Sequence, residues 1–267
     1  MKLPSIELAT DHPGLSDPVY LERRAAIAAA TRQRSTNATP PTIAYTTVED
    51  DVWHTVSETL HELHREFATD EYRRGAAALS LASGHVPQLA TVSARLHDLT
   101  GWRVAAVPGL VPTRTFYGAL AERTFLSTQY VRHPSVPFYT PEPDIIHELI
   151  GHVNGLASPR LAELYEAAGK ASLRAADDAS LERFSRVFWF TLEFGLVREH
   201  DELRTYGAGL LSSFGEIQAF RDAGVRPFDI EQMATFDYDI TRFQDVLFVA
   251  DSFDDAEREL LAFFATF

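Results

Sequence analysis

Tyr139-Thr140-Pro141-Glu142-Pro143-Asp144-Ile145-Ile146-His147-Glu148-Leu149-Ile150-Gly151-His152 is the stretch that decides how this chain is read. Its two histidines are five residues apart. A zinc-protease helix needs His-Glu-x-x-His, with the second imidazole four residues on and on the same face. That position is Gly151 here, so the protease reading fails. On a regular helix, residues five apart point about 140° away from each other. Both rings can reach one metal only if the helix is interrupted. Glycine accepts the left-handed conformation that ends helices. The spacing therefore predicts a helix from about Pro143 that carries His147 and ends near Gly151, with His152 just beyond it.

Two neutral imidazoles leave a metal short of ligands and of negative charge. A carboxylate would complete the facial triad of non-haem iron(II) oxygenases. Glu193 is the strongest candidate, because it interrupts the apolar run Val187-Phe188-Trp189-Phe190-Thr191-Leu192-Glu193-Phe194. A carboxylate in such a segment costs several kcal/mol unless it is paired or bound to a metal. The alternative is a buried ion pair with Arg186 or Arg204, and composition leaves the two readings open.

The remainder of the chain reads as mainly α. Asp17 and Pro18 start one helix, and Thr46-Thr47-Val48-Glu49 is a capping box for a second. In the second helix Val52, Val56, Leu60, Leu63 and Phe67 form one apolar stripe, and His61 and His64 are read as a solvated polar face. Further helices are expected from Asp70 to Gly84, from Pro87 to Leu99 before Gly101, from Leu181 to Arg198, over Glu216–Arg221 and over Asp254–Phe264. Only Arg103–Val107 and Val246–Ala250 read as strands, and Ser35–Pro41 as a surface loop.

The 267 residues contain no cysteine, which excludes thiolate metal sites, disulfides and cysteine nucleophiles. Any metal must be held by nitrogen and oxygen. The net charge of −14 makes nucleic acid and anionic membranes poor partners. No apolar run approaches the ~20 residues of a membrane span, and no secretory signal is evident at Met1–Glu7, so a cytoplasmic protein is expected.

Several blocks together resemble the pterin-dependent aromatic amino acid hydroxylases. They are Asp11-His12-Pro13-Gly14, Asp17-Pro18-Val19-Tyr20, Pro108-Gly109-Leu110 and Thr128-Gln129-Tyr130-Val131-Arg132-His133. Tyr139–His152, Glu193-Phe194-Gly195-Leu196 and Gly207-Ala208-Gly209-Leu210-Leu211-Ser212-Ser213 complete the set. The resemblance covers nearly the whole chain. It implies one catalytic domain over residues 1–267, a helical basket with iron in a deep cleft. It is most similar to the short bacterial form without regulatory or tetramerisation domains, so a monomer is expected.

The resemblance also implies roles. His147, His152 and Glu193 match the iron(II) ligands. Phe116, Glu148, Val111 and Phe188 match the side that holds the tetrahydropterin. Arg132, Thr140, Trp189, Phe194, Ser212 and Ile240 match the amino acid pocket, with Arg132 on the substrate carboxylate. Iron, O2 and reduced pterin would supply the oxidation, and the protein would position them. An apolar residue at Ile240 favours an unsubstituted ring, hence phenylalanine, with para hydroxylation to tyrosine the commoner family outcome. Meta hydroxylation, or tyrosine or tryptophan as substrate, is the alternative. A divalent-metal hydrolase and a non-catalytic amino acid binder are the rivals from other classes.

Three departures stand out. The family usually has His-Val-Pro after the second ligand, where this chain has His152-Val153-Asn154-Gly155, so the segment there is expected to run differently. Phe188 replaces a common tyrosine, and Leu126 replaces the histidine of animal members.

Overall fold

Thr46 opens the longest helix by a reciprocal cap. Its hydroxyl accepts the Glu49 N–H at 3.2 Å, and the Glu49 carboxylate accepts the Thr46 N–H at 2.8 Å. The computed structural model of the protein describes residues 12–32, 38–240 and 242–267. Ser35–Asn37 of the expected surface loop lie outside these, as does Asp11 of the first landmark.

The elements run α1 (Pro18–Arg32), α2 (Thr47–Phe67), α3 (Asp70–Leu79), α4 (Leu89–Thr100), β1 (Arg103–Ala106), α5 (Thr113–Ala121) and β2 (Thr124–Ser127). A helical stretch then runs through a π segment, His147–Val153, into α6 (Asn154–Leu156). Next come α7 (Pro159–Ser172) and α8 (Asp178–Phe188), followed by a second π segment, Trp189–Glu193. The chain continues through β3 (Leu196–Glu199), β4 (Glu202–Thr205), α9 (Ala208–Ser212) and α10 (Phe214–Ala219). It ends with β5 (Gly224–Pro227), α11 (Ile230–Met233), β6 (Val246–Ala250) and α12 (Phe253–Thr266). No helix among the described residues is long and apolar enough to cross a membrane.

The mainly helical expectation holds, with more β structure than expected. β1 and β2 pair in parallel across α5, and β4-β3-β6-β5 form a second sheet. The two expected strands are there, but β2, β3, β4 and β5 were not expected. Each is four residues long, and β5 is exposed throughout, so none carries an apolar alternation to read. β3 and β4 form a hairpin through His200 and Asp201, both at positive φ, as a two-residue hairpin turn requires.

Two expected helices end early. α3 stops at Leu79, where Ser80 takes the left-handed conformation, and does not reach Gly84. The Leu181–Arg198 segment is not one helix: α8 widens into the π segment at Trp189 and then turns into β3. The central core is built by Trp53, Leu60 and Tyr72 from α2 and α3, Ile146 before and Leu149 within the first π segment, and Phe184 before and Phe190 within the second. Both π segments therefore sit inside the core, which fixes the side chains they present.

Candidate metal centre

The helix carrying His147 does not end at Gly151, and this corrects the sequence-based expectation. It begins at Ile145 and continues through His152 to Leu156. Between His147 and Val153 the hydrogen bonding is of the wider i→i+5 type, with the Asn154 N–H reaching the Leu149 carbonyl. Widening the turn lowers the rotation per residue, so residues five apart come to share a face. The Nε2 atoms of His147 and His152 are 3.1 Å apart. Gly151 has a different reason from the one expected. A Cβ there would lie 2.7 Å from the Ala208 carbonyl oxygen, so glycine lets α9 pack against the π segment.

The second π segment presents Glu193, whose Oε1 lies 3.2 Å from His152 Nε2. Its rim is closed by the Trp189 carbonyl, which accepts the Phe194 N–H at 2.9 Å. Gly207 passes so close that a Cβ would lie 2.4 Å from the Glu193 carbonyl oxygen. The Gly207–Gly209 turn thus packs against both π segments. Neither rival ion pair for Glu193 forms. Arg186 binds Glu182 and Asp237, and the Arg204 guanidinium donates to the Arg65 and Ala68 carbonyls.

Proton positions follow from the hydroxyls behind each ring. Ser212 donates to the Ala208 carbonyl at 2.8 Å, so its oxygen is left to accept from His147 Nδ1 at 2.8 Å. Tyr165 donates to the Leu192 carbonyl at 3.4 Å and accepts from His152 Nδ1 at 2.9 Å. Both imidazoles therefore carry their proton on Nδ1 and turn an Nε2 lone pair to the same point. Two lone pairs 3.1 Å apart, with a carboxylate 3.2 Å from one of them, repel unless a cation lies between them. Donors ~2.1 Å from a common metal and at right angles to each other are about 3 Å apart. His152 Nε2 stands at that separation from both His147 Nε2 and Glu193 Oε1.

Burial drives the His147 pKa down to about 4, with neighbouring His152 acting in the same sense. Burial pushes Glu193 up, and positive charge at the His152 and His147 imidazoles would outweigh it and hold the carboxyl below its ordinary range, a part that a metal cation at their Nε2 atoms would play. A second carboxylate faces the same place: ligand-capable atoms of His147, Glu148 and His152 lie within 4.8 Å of one another. Burial pushes Glu148 well above the carboxylate range, only partly offset by the Thr128 N–H. The two acids thus differ in kind, Glu193 held as an anion and Glu148 favouring the neutral acid.

The other expected site residues divide. Arg132 is buried and already gripped: Nε and Nη2 donate to the two oxygens of Asp144 at 3.0 and 2.8 Å. On the far edge of the fork, Nη1 donates to the Pro137 carbonyl at 3.4 Å. Trp189 is half-buried, stacked on Tyr238 at 4.4 Å between ring centroids and packed on Phe194 at 4.5 Å. Its indole N–H donates to Gln244 at 3.1 Å. Ser212 bonds to His147. Thr140 caps its own turn, donating to the Glu142 carbonyl. Phe116 packs edge-on against Phe125, which lies 4.8 Å from the His152 ring. Val111 packs against the Ala105, Val107 and Leu126 cluster.

Two placements disagree with the expectation. Phe188 is 4% exposed and enclosed by Tyr117, Phe184 and Tyr165, so it is core and not a pocket wall. Ile240 is 71% exposed on a loop, so the argument that it offers a buried apolar mate to a substrate ring does not hold. Sequence reasoning also missed Asp144, Tyr165 and Gln244. Asp144 had a signal, since its Oδ1 caps the His147 N–H three residues on, at 3.1 Å. Tyr165 had none, because only the approach of α7 brings it to His152.

The sequence pattern described as biopterin-dependent aromatic amino acid hydroxylase matches residues 3–267. The chain is 45% identical over 255 residues to phenylalanine 3-hydroxylase of Streptomyces coeruleorubidus, covering 96% of this chain and 91% of that protein. It is 42% identical to phenylalanine-4-hydroxylase of Rattus norvegicus, covering 97% of this chain but only 58% of the rat protein's length. Among solved structures it superposes with a TM-score of 0.80 on Chromobacterium violaceum phenylalanine hydroxylase holding iron(III) and 7,8-dihydrobiopterin. That pair is 30% identical and covers 100% of this chain and 93% of the other. The chain belongs to the biopterin-dependent aromatic amino acid hydroxylase family.

Proposed function

We propose that this chain is an iron(II)- and tetrahydropterin-dependent monooxygenase that hydroxylates the ring of L-phenylalanine, with L-tyrosine as product. The reading rests on one observation: His152 Nε2 lies 3.1 Å from His147 Nε2 and 3.2 Å from a Glu193 carboxylate oxygen. These three residues would hold the iron. With the pterin, the metal supplies the two-electron activation of O2 that ring hydroxylation needs. Ser212 and Tyr165 keep both imidazoles in the ligating tautomer. Glu148, whose carboxyl pKa is pushed up by burial, would face the pterin side. The Nη1 edge of Arg132, which makes a long 3.4 Å bond to the Pro137 carbonyl, would exchange it for the substrate carboxylate, and Trp189 would bound the ring. Orienting the ring towards the metal is the chain's main contribution to rate.

A second reading, hydroxylation at the meta position, is supported by the 45% identity to the Streptomyces phenylalanine 3-hydroxylase. Aerobic turnover of phenylalanine, tyrosine and tryptophan with iron(II) and tetrahydropterin tests both, with products identified by mass spectrometry. L-Tyrosine from phenylalanine is the expected result. meta-Tyrosine would move the chain to the second reading. No hydroxylated product from any of the three would overturn the proposal. Alanine at His147, His152 or Glu193 should abolish turnover and bound iron, and full activity in any of them would remove that residue from the metal.

A further inference from the structure

Gln244 lies shortly before β6 and is buried. Its backbone N–H donates to Glu216 Oε1 at 2.7 Å. Both ends of its carboxamide are engaged as well. Nε2 donates to the carbonyls of Asp239 and Arg242, at 2.8 and 3.1 Å. Carbonyls only accept, so these two bonds settle which end of the amide is nitrogen. Oε1 is thereby turned to the Trp189 indole N–H, which donates to it at 3.1 Å.

That bond does for Trp189 what its aromatic neighbours cannot. Tyr238 lies 4.4 Å from it between ring centroids, at 17° between planes, and Phe194 lies 4.5 Å away at 35°. Such stacking sets the plane of a ring but tolerates offset within that plane. A hydrogen bond is directional and weakens steeply as its angle closes. The bond to Gln244 therefore fixes where the N–H edge of the indole points, and with it where the opposite edge stands. Trp189 is also the first residue of the second π segment, whose last residue is Glu193. The indole is thus held from two sides, by the turn that presents Glu193 and by an acceptor 55 residues along the chain.

The proposed function sets the substrate ring against Trp189, and the next step rests on that reading. We infer that Gln244 is a positioning residue for the substrate ring, acting through the Trp189 indole and not by contact with the substrate. It decides where the indole edge stands, and so how the bound ring lies relative to the metal. Removing Oε1 leaves the stack in place and takes away its in-plane direction. The defect then falls on binding of the aromatic amino acid and on the share of pterin oxidation that yields hydroxylated product. The pterin side is untouched.

Gln244→Met keeps the length of the side chain and removes the acceptor. By calorimetric titration of the iron-loaded protein, L-phenylalanine should bind roughly three- to tenfold more weakly, the worth of one neutral hydrogen bond. Less hydroxylated product should form per pterin oxidised, with the KM for tetrahydropterin unchanged. Made together with Trp189→Phe, which keeps a ring but has no N–H, Gln244→Met should cause no further loss of affinity. Should Gln244→Met not fold, Gln244→Asn draws the acceptor back by one methylene and takes its place in each comparison. Unaltered affinity and product yield in a folded Gln244 variant would overturn the inference. So would a loss of the same size with Trp189→Phe as without it, which would make Gln244 part of the scaffold only. Both outcomes leave the proposed function standing. An unaltered protein that neither binds nor hydroxylates an aromatic amino acid would remove the two together.

Discussion

Asp144 holds Arg132 by three hydrogen bonds, two from the guanidinium and one from the Arg132 backbone N–H at 2.8 Å. The same carboxylate caps His147. The residue proposed to orient the substrate and the residue proposed to hold the metal are therefore positioned by one buried acid. Asp144→Asn should destabilise the fold by roughly 3–5 kcal/mol, the usual cost of breaking one partner from a buried pair. Urea unfolding would measure it. Burial raises the Asp144 pKa, but Arg132 outweighs this and holds it below its ordinary 3.8. A depressed folded-state pKa contributes stability that is present above pH ~4 and lost as pH falls below it. The unaltered protein should lose stability in that window, and Asp144→Asn should lose less.

Arg132→Lys keeps the charge but cannot bridge both Asp144 oxygens and still offer an edge to a ligand. A charged hydrogen bond is worth roughly 1.5–3 kcal/mol, so kcat/KM for the amino acid should fall roughly ten- to a hundredfold. Pterin oxidation should continue with less hydroxylated product per turnover. A change confined to the apparent KM for pterin would place Arg132 in the other pocket.

Tyr165→Phe and Ser212→Ala each remove the hydroxyl that fixes an Nε2 lone pair. Loss of such an outer partner typically lowers metal affinity roughly 10- to 100-fold. Competition for iron(II) against a chelator should show this in both variants, with secondary structure unchanged by circular dichroism. Equal affinity in both would mean that packing alone orients the rings.

Gly151→Ala places a methyl 2.7 Å from the Ala208 carbonyl. Backbone faces backbone there, so the π segment or α9 must move. Overpacking of this kind costs roughly 1–3 kcal/mol, and metal affinity should fall with stability. Thermal melts with and without iron(II) would separate the two effects.

Glu216 accepts the Gln244 N–H at 2.7 Å, and Gln244 in turn holds Trp189. Burial raises the Glu216 pKa from 4.5 to about 7. An acid whose folded-state pKa is raised contributes stability that is present below its unfolded value and lost as pH rises through the folded one. At ~1.4 kcal/mol per pKa unit this amounts to about 3 kcal/mol at most. Glu216→Gln should therefore gain stability relative to the unaltered protein between pH 5 and 8, by denaturant titration. Parallel curves across that range would refute the shift.

The sequence by itself determined most helices, because caps and apolar periodicity are local. The Thr46–Glu49 box, the α2 stripe and the Gly101 stop all appear where the residues place them. It also determined the chemistry available: no cysteine, two histidines five apart, and one carboxylate in an apolar run. Only the tertiary structure decided how those groups meet. The i→i+5 turns at His147 and Trp189 have no local residue signature, and both meet the start of α9, Gly151 against Ala208 and Glu193 against Gly207. The short strands β2 to β5 are likewise fixed by their partners and not by their own pattern. Tyr165 reaches His152, and Asp144 grips Arg132, across 13 and 12 residues. Such contacts arise when packed elements bring distant side chains together, and no spacing rule within one helix or strand encodes them.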